Sequence, residues 1–239
     1  QLHGYETDKA GNLYAFVTER SVALLKQAGR LGFVLQQPVV STNRMETIRD
    51  VLLQNSSFVW SSTYDDRPSK LFDGIHHARI AILLVEKSKT AAARLYVTAY
   101  QKWYKEQRNV LFQKLAYIED DRNYMRLSVF PKIGSSIEAG ILDKLLSIST
   151  PFALWTVRHR TQFCTYHKIT GVGHWFTITQ RPPKFIREGV ESSSTREKAI
   201  FYATKEVRDR ALAVLNSSLF YWFYQVRTNC RDFNPSDYQ

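Results

Sequence analysis

The heptapeptide Arg79-Ile80-Ala81-Ile82-Leu83-Leu84-Val85 constrains the fold of this chain more than any other segment. Its six consecutive apolar residues are too few to span a membrane, and no run of eighteen occurs elsewhere. At this length, and rich in Ile and Leu, it reads as a strand. The residues before it alternate helix and strand. Leu13, Phe16, Val17 and Leu24 recur at helical spacing with Ser21 on the same face, and Gly29 supplies a stop past the helix end. Residues 31–35 form a short apolar run of the kind buried on both faces of a parallel sheet. Ser41 and Asn43 can cap a second helix, with Glu46 three residues after Asn43 and with Met45, Ile48 and Leu52 on one face. Residues 57–60 read as a strand, and 65–70 as a polar loop.

Residues 1–100 therefore read as an α/β block. Three strands and two helices leave a sheet edge and one helix layer uncovered. Either this is a small domain of unusual shape, or it is the C-terminal half of a doubly wound sheet; the second is the expectation. The chain begins at Gln1 and is expected to be a piece of something longer. From residue 101 the pattern shifts. Residues 103–115 and 136–146 read as helices, the latter with Ile137, Ile141, Leu145 and Leu146 on its apolar side. Residues 150–190 suggest small strands and loops, and 206–215 a helix through Val207, Ala211, Val214 and Leu215. The expected second region, 101–239, is thus mixed α+β.

Charge separates the two regions further. Thirty-three Lys and Arg against 22 Asp and Glu give +11, of which residues 101–239 hold +8. A basic half suits a polyanionic partner, because each cation that neutralises a phosphate releases condensed counterions. A solvated surface with excess lysine is the plainer alternative. Two cysteines, Cys164 and Cys230, are too few for a disulfide framework and suit a reducing compartment. With no signal segment in view, the cytoplasm is the expected location and no membrane partner is expected.

Residues 151–190 carry Arg158, Arg160, Lys168, Arg181, Lys184 and Arg187 against one acid, Glu188. Phe152, Trp155, Phe163, Tyr166, Trp175, Phe176 and Phe185 are interleaved. Basic groups can grip phosphates or read guanine edges, and aromatic rings can stack on bases. Ordinary burial preferences assign roughly two-thirds of these rings to a core, so the six basic residues are the expected DNA contacts. Cys164, His167 and His174 match no closed four-ligand metal set. His76 and His77 are adjacent, a poor shared ligand pair. Gly171-Val172-Gly173 lacks the third glycine of a dinucleotide loop, and no nucleophile elbow or zinc-protease helix is present. Asp65-Asp66 could form an acidic metal site; in a Pro-containing loop a solvated turn is expected instead.

Several segments, in order, resemble one family. Asn12-Leu13-Tyr14-Ala15-Phe16-Val17 and Ala28-Gly29-Arg30-Leu31-Gly32-Phe33-Val34-Leu35 look like the stretch after the catalytic motif of adenine-specific DNA methyltransferases of the restriction–modification type. The likeness continues through Ser41-Thr42-Asn43-Arg44-Met45, Ile48-Arg49, the loop from Asp65 to Gly74, and Arg79-Ile80-Ala81-Ile82-Leu83-Leu84. Trp103 with Glu106-Gln107-Arg108, Leu111-Phe112, Pro131-Lys132-Ile133-Gly134-Ser135, and Leu215-Asn216-Ser217-Ser218-Leu219-Phe220-Tyr221-Trp222 resemble it too.

The resemblance implies a doubly wound methyltransferase sheet that binds S-adenosylmethionine through a Gly-containing loop, and a Pro-Pro-aromatic motif that holds a flipped adenine. Neither motif is in this chain. It therefore implies that residues 1–100 end the methylase domain, that 101–239 begin a connecting and target-recognition region, and that S-adenosylmethionine is bound mainly by a part outside the chain. No catalytic, cofactor-binding or metal residue is assigned. Relatives often carry Pro where this chain has Gln36, with Pro38 two positions on, so no role passes to Gln36 or Gln37. Phe72 lies in the loop near which relatives position the flipped base, and could pack against it or anchor the loop.

The first reading is a fragment of a site-specific DNA adenine methyltransferase, inactive alone, whose partners are double-stranded DNA and the rest of its parent polypeptide. The alternative is a non-catalytic DNA-recognition module acting with a separate methylase subunit. A basic α/β protein with no nucleic-acid role is the third.

Overall fold

The computed structural model describes residues 4–75, 77–89, 92–120, 123–170 and 177–238. The chain divides into two compact units, Gln1–Leu146 and Ser147–Gln239. The first unit opens with a 3-10 turn at Glu6–Ala10, held by Glu19, whose carboxylate accepts from the backbone N–H of Glu6 and Thr7 and from the Thr7 hydroxyl. Helix α1 (Leu13–Leu24) starts where the Asn12 side chain accepts the Tyr14 N–H. Its buried face is Ala15, Thr18 and Val22; of the expected apolar face, Leu13, Val17 and Leu24 are exposed and Phe16 is half-buried against Tyr5. Small side chains let the helix lie close against its neighbours, and the large apolar ones are left outside. The turn after it is made by Ala28 with positive φ; Gly29 follows, with its N–H on Lys26 O.

Strand β1 (Arg30–Gln36) leads to α2 (Pro38–Ser41), a 3-10 turn at Asn43–Met45, and α3 (Glu46–Gln54). Met45, Ile48 and Leu52 are buried as their spacing predicts, but Asn43 sits inside the 3-10 turn and caps nothing. Arg49, fully buried on α3, donates to Val39 O at 2.9 Å, Thr42 O at 3.0 Å and Ser128 O, and so clamps three segments by their carbonyls.

Strands β2 (Ser56–Tyr64), β3 (Ile80–Lys87), β4 (Arg94–Gln101) and β5 (Ile118–Glu119) complete a sheet of order β1-β3-β2-β4-β5. β2 and β4 are parallel; β3 is antiparallel to both β1 and β2, and β5 to β4. The sheet is therefore mixed, and β1, β2 and β4 share a direction. β1 is an edge strand beside an antiparallel neighbour, not the doubly covered parallel strand its composition suggests, and Leu35 is its one buried residue. Ala81, Leu83 and Val85 of β3 line up with Val59 of β2 and, through it, Leu95 of β4 on a buried face; α3 packs against β2. The opposite face carries exposed Val34 and Leu84 and a ladder of Phe58, Trp60 and Tyr96, stacked with centroids 5.2 and 5.6 Å apart. β4 runs through residue 100, so the sheet continues past that position.

The expected helix at 103–115 is two 3-10 turns, Lys105–Val110 and Phe112–Lys114. Trp103 and Leu111 are both drawn into a cluster with Tyr64, Leu71 and Ile80, which anchors the segment at two points and breaks the helical path between them. Helices α4 (Asn123–Leu127) and α5 (Ser136–Leu146) close the unit. Between them Gly134 crosses β4 so closely that a Cβ would lie 2.9 Å from that of Ala99. On α5 the fully buried residue is Leu142, whereas Ile137 and Ile141 of the expected apolar side are exposed.

In the second unit, β6 (Thr156–Val157) and β7 (Cys164–Lys168) flank the central strand of a three-stranded sheet, and β8 (Phe185–Arg187) and β9 (Val190–Ser192) form a separate two-stranded ribbon. That central strand is β10 (Glu197–Tyr202). Thr204 and Ser217 cap α6 (Lys205–Leu215) and α7 (Ser218–Arg227), and α8 (Pro235–Tyr238) follows. Tyr221, Tyr224, Val226 and Phe233 build the core with Ile200, Tyr202 and Leu215. No helix among the described residues is long and apolar enough to cross a membrane.

Candidate functional site

The shared direction of β1, β2 and β4 brings their carboxyl ends together, at Gln36, Tyr64 and Gln101. In open parallel α/β sheets, ligand-facing loops lie at the carboxyl ends of the strands. Asp65 continues β2, its N–H on Gln101 O at 2.9 Å, and Gln37 continues β1 with its N–H on Arg79 O at 2.9 Å. Into this corner point two carboxylates. Arg79 Nε lies 3.3 Å from Asp65 Oδ1 and its Nη2 3.6 Å from Asp66 Oδ1. Lys102 Nζ is 4.0 Å from Asp65 Oδ2, and His77 Nδ1 is 3.8 Å from Asp66 Oδ2.

This overturns the solvated turn expected for Asp65 and Asp66: the Asp65 side chain is 3% exposed. Burial forces each carboxylate to find a cation, and Arg79, ahead of the strongest strand, supplies it. Burial pushes the Asp65 carboxyl above the usual carboxylate range, and its hydrogen bond with Asp66 adds to this. Burial acts on Asp66 too, but the bond with Asp65 and the Arg79 guanidinium outweigh it and hold that carboxyl below the usual range. No group of metal-binding side chains occurs among the described residues.

The loop from Asp65 to Arg79 is pinned by Leu71, which is buried, and by Arg108, which donates to Lys70 O at 3.3 Å and Leu71 O at 2.7 Å. Leu71 is thus the anchor, and neighbouring Phe72 is 41% exposed. Neither Arg79 nor Arg108 carries a site role in the sequence reading; the signal for Arg79 was an arginine directly before an apolar strand and a loop holding two acids.

The six basic residues expected to contact DNA are all exposed. Arg158 and Arg160 follow β6, Lys168 ends β7, Arg181 and Lys184 precede β8, and Arg187 ends it. Of the interleaved rings, Phe152, Trp155, Phe163 and Tyr166 are half-buried and Phe185 is exposed, so the core assigned to them is built by the C-terminal aromatics instead. Trp175, Phe176, His174, Gly171-Val172-Gly173 and His76 lie outside the described residues.

Cys164 and His167 are three apart on β7 and so project to opposite faces. His167 is 2% exposed, with Phe233 and Tyr238 edge-on to its ring and neither ring nitrogen hydrogen-bonded. Burial, with the nearby Lys198 charge adding, pulls its pKa down to about 4.

No family model matches the chain, and no curated protein matches it. Among solved structures, it is similar to the ATP-dependent Type ISP restriction-modification enzyme LlaBIII bound to DNA, with 14% identity and a TM-score of 0.33 over 65% of this chain and 11% of that one. It is also similar to a DrdV–DNA complex, with 12% identity and a TM-score of 0.39 over 72% of this chain and 19% of that one. The chain thus spans between about a tenth and a fifth of the length of these structures.

Proposed function

We propose that the chain is part of a site-specific DNA adenine methyltransferase of the restriction–modification type, ending its methylase domain and carrying DNA-contacting surface. The observation that carries this reading is the flank of the first sheet. β1 presents a seven-residue edge with no strand beyond it among the described residues, and it shares with β2 and β4 a direction that gathers the carboxyl ends of the three. An edge of that length invites a further strand, as the end of a doubly wound sheet would. The ordered sequence resemblance along the chain supports the same reading, and so does the exposed basic surface of the second unit.

The parent would use S-adenosylmethionine as methyl donor to the exocyclic amine of a flipped adenine. The residues present do not fit that cofactor: β1 runs through buried Gln37 into α2, and the corner at the sheet end is filled by paired charges. A reading as a DNA-recognition module beside a separate methylase subunit is favoured by one observation: Ser147–Gln239 is compact by itself and carries thirteen Lys and Arg against seven Asp and Glu.

Titration of duplex DNA with the full chain at rising salt tests the DNA-binding surface common to both. Binding at low ionic strength that weakens linearly in log–log form is expected; no binding there would end both readings. Methyl transfer from labelled cofactor by residues 1–239 alone would overturn the part-enzyme reading.

A further inference from the structure

The ribbon of β8 and β9 stands apart from the rest of the second unit's packing. All six of its strand residues are exposed, and it pairs with no other strand among the described residues. Ile186 and Val190 are 65% and 67% exposed, an unusual cost for a hairpin that supports no core. A tight turn closes it, with Glu188 and Gly189 both at positive φ, which matches the twist of the two strands.

Its two faces differ in chemistry. The register pairs Phe185 with Ser192, Ile186 with Glu191 and Arg187 with Val190. Directly opposed residues share a face and alternate residues change it. Phe185, Arg187, Val190 and Ser192 therefore occupy one side, and Ile186 and Glu191 the other. The first side combines a guanidinium, an aliphatic branch and a hydroxyl, with no carboxylate. Those are the side chains that meet guanine O6 and N7, the thymine methyl group, and either kind of base edge. Arg187 is held by Glu188 at 3.8 Å, but both are strongly exposed, so the pair is screened and readily exchanged. In sequence, exposed Arg181 and Lys184 precede the ribbon and exposed Arg196 and Lys198 follow it.

We infer that this ribbon enters the major groove of duplex DNA with the Arg187, Val190 and Ser192 face turned to the base edges. A two-stranded ribbon fits the width of that groove, and the flanking cations complement the phosphates on its walls. The inference rests on the DNA-binding reading above and adds a groove, an element and a face to it.

The test uses the full chain and a pool of random duplexes, enriched over rounds of binding. Wild type is expected to enrich a recurring sequence, and methylation of guanine N7, which lies in the major groove, is expected to interfere within it. Arg187→Ala should reduce the preference for the enriched sequence over random duplex by at least about tenfold, and Val190→Ser by less. Affinity for random duplex should change by no more than about twofold, with far-ultraviolet circular dichroism unchanged. Enrichment of the same sequence with undiminished preference by both variants overturns the inference. So does binding without any enrichment, binding to single strands only, or indifference to N7 methylation; in the first and last of these the DNA-binding reading survives. Absence of duplex binding at low salt removes both.

Discussion

At the sheet end of the first unit, Arg79 is enclosed with Asp65 and Asp66, whereas Arg158, Arg160 and Arg187 of the second unit stand in water. The same residue type does different work in the two places. Enclosed charge must be matched within the chain, so it fixes the backbone around it: Arg79 holds the corner where β1 and β2 end. Exposed charge has water and salt as partners and stays available to a polyanion. Net charge alone does not separate these roles; surroundings do.

The comparison breaks first at Arg79. Arg79→Ala leaves two enclosed carboxylates without their main cation, and urea unfolding should register a loss on the order of 3 kcal/mol. Adding Asp65→Asn and Asp66→Asn to that variant should recover part of it, because the uncompensated charge is gone. Next comes His167, which titrates near 4 in the folded protein against an ordinary value near 6.5. Above pH 6.5 both folded and unfolded states hold it neutral, and its contribution is fully present. As pH falls toward 4 the unfolded state takes up the proton first, so the second unit loses stability, on the order of 2 kcal/mol by pH 5. Denaturation at pH 7.5 and pH 5 measures this, and His167→Phe should flatten the difference.

Smaller in stability, but decisive for binding, is the double variant Arg158→Ala with Arg160→Ala. Its unfolding midpoint should match wild type, while the slope of log affinity for duplex DNA against log salt should shrink by up to about two. If the midpoint moves instead, these arginines belong with Arg79. Smallest of all is Arg30→Gln, which removes a surface pair with Glu86 at 3.0 Å and should leave the midpoint where it was.

Much of the first unit was legible from local pattern. The strand at Ile80–Lys87 follows from its apolar run, and Met45, Ile48 and Leu52 lie buried as their spacing requires. The side of α1 that faces inward was not legible, because Ala15 and Thr18 are chosen for closeness and carry little hydrophobic signal. β4 escaped notice, although Leu95 and Val97 alternate with Tyr96 in the manner of a half-covered strand. The Asp65, Asp66 and Arg79 cluster could not be read locally, since its members sit at opposite ends of the loop between β2 and β3 and only pairing of those strands closes it. In the second unit the basic residues were visible and their exposure followed; small strands were expected over 150–190, but which residues pair into the ribbon that carries Arg187 was not legible, because short exposed strands carry no burial pattern.

Lys87 ends β3 with its ammonium on the last carbonyls of α1, at 2.5 Å from Val22 O and 3.0 Å from Ala23 O, while its own N–H and C=O bond the chain at Gly29 and Ala28. One side chain thereby closes the C-terminus of a helix and fastens it to the sheet. Helix and strand should consequently open as a single cooperative unit, so that their amide protons exchange with solvent deuterium at a common rate, and Lys87→Met, which removes the ammonium, should uncouple the two.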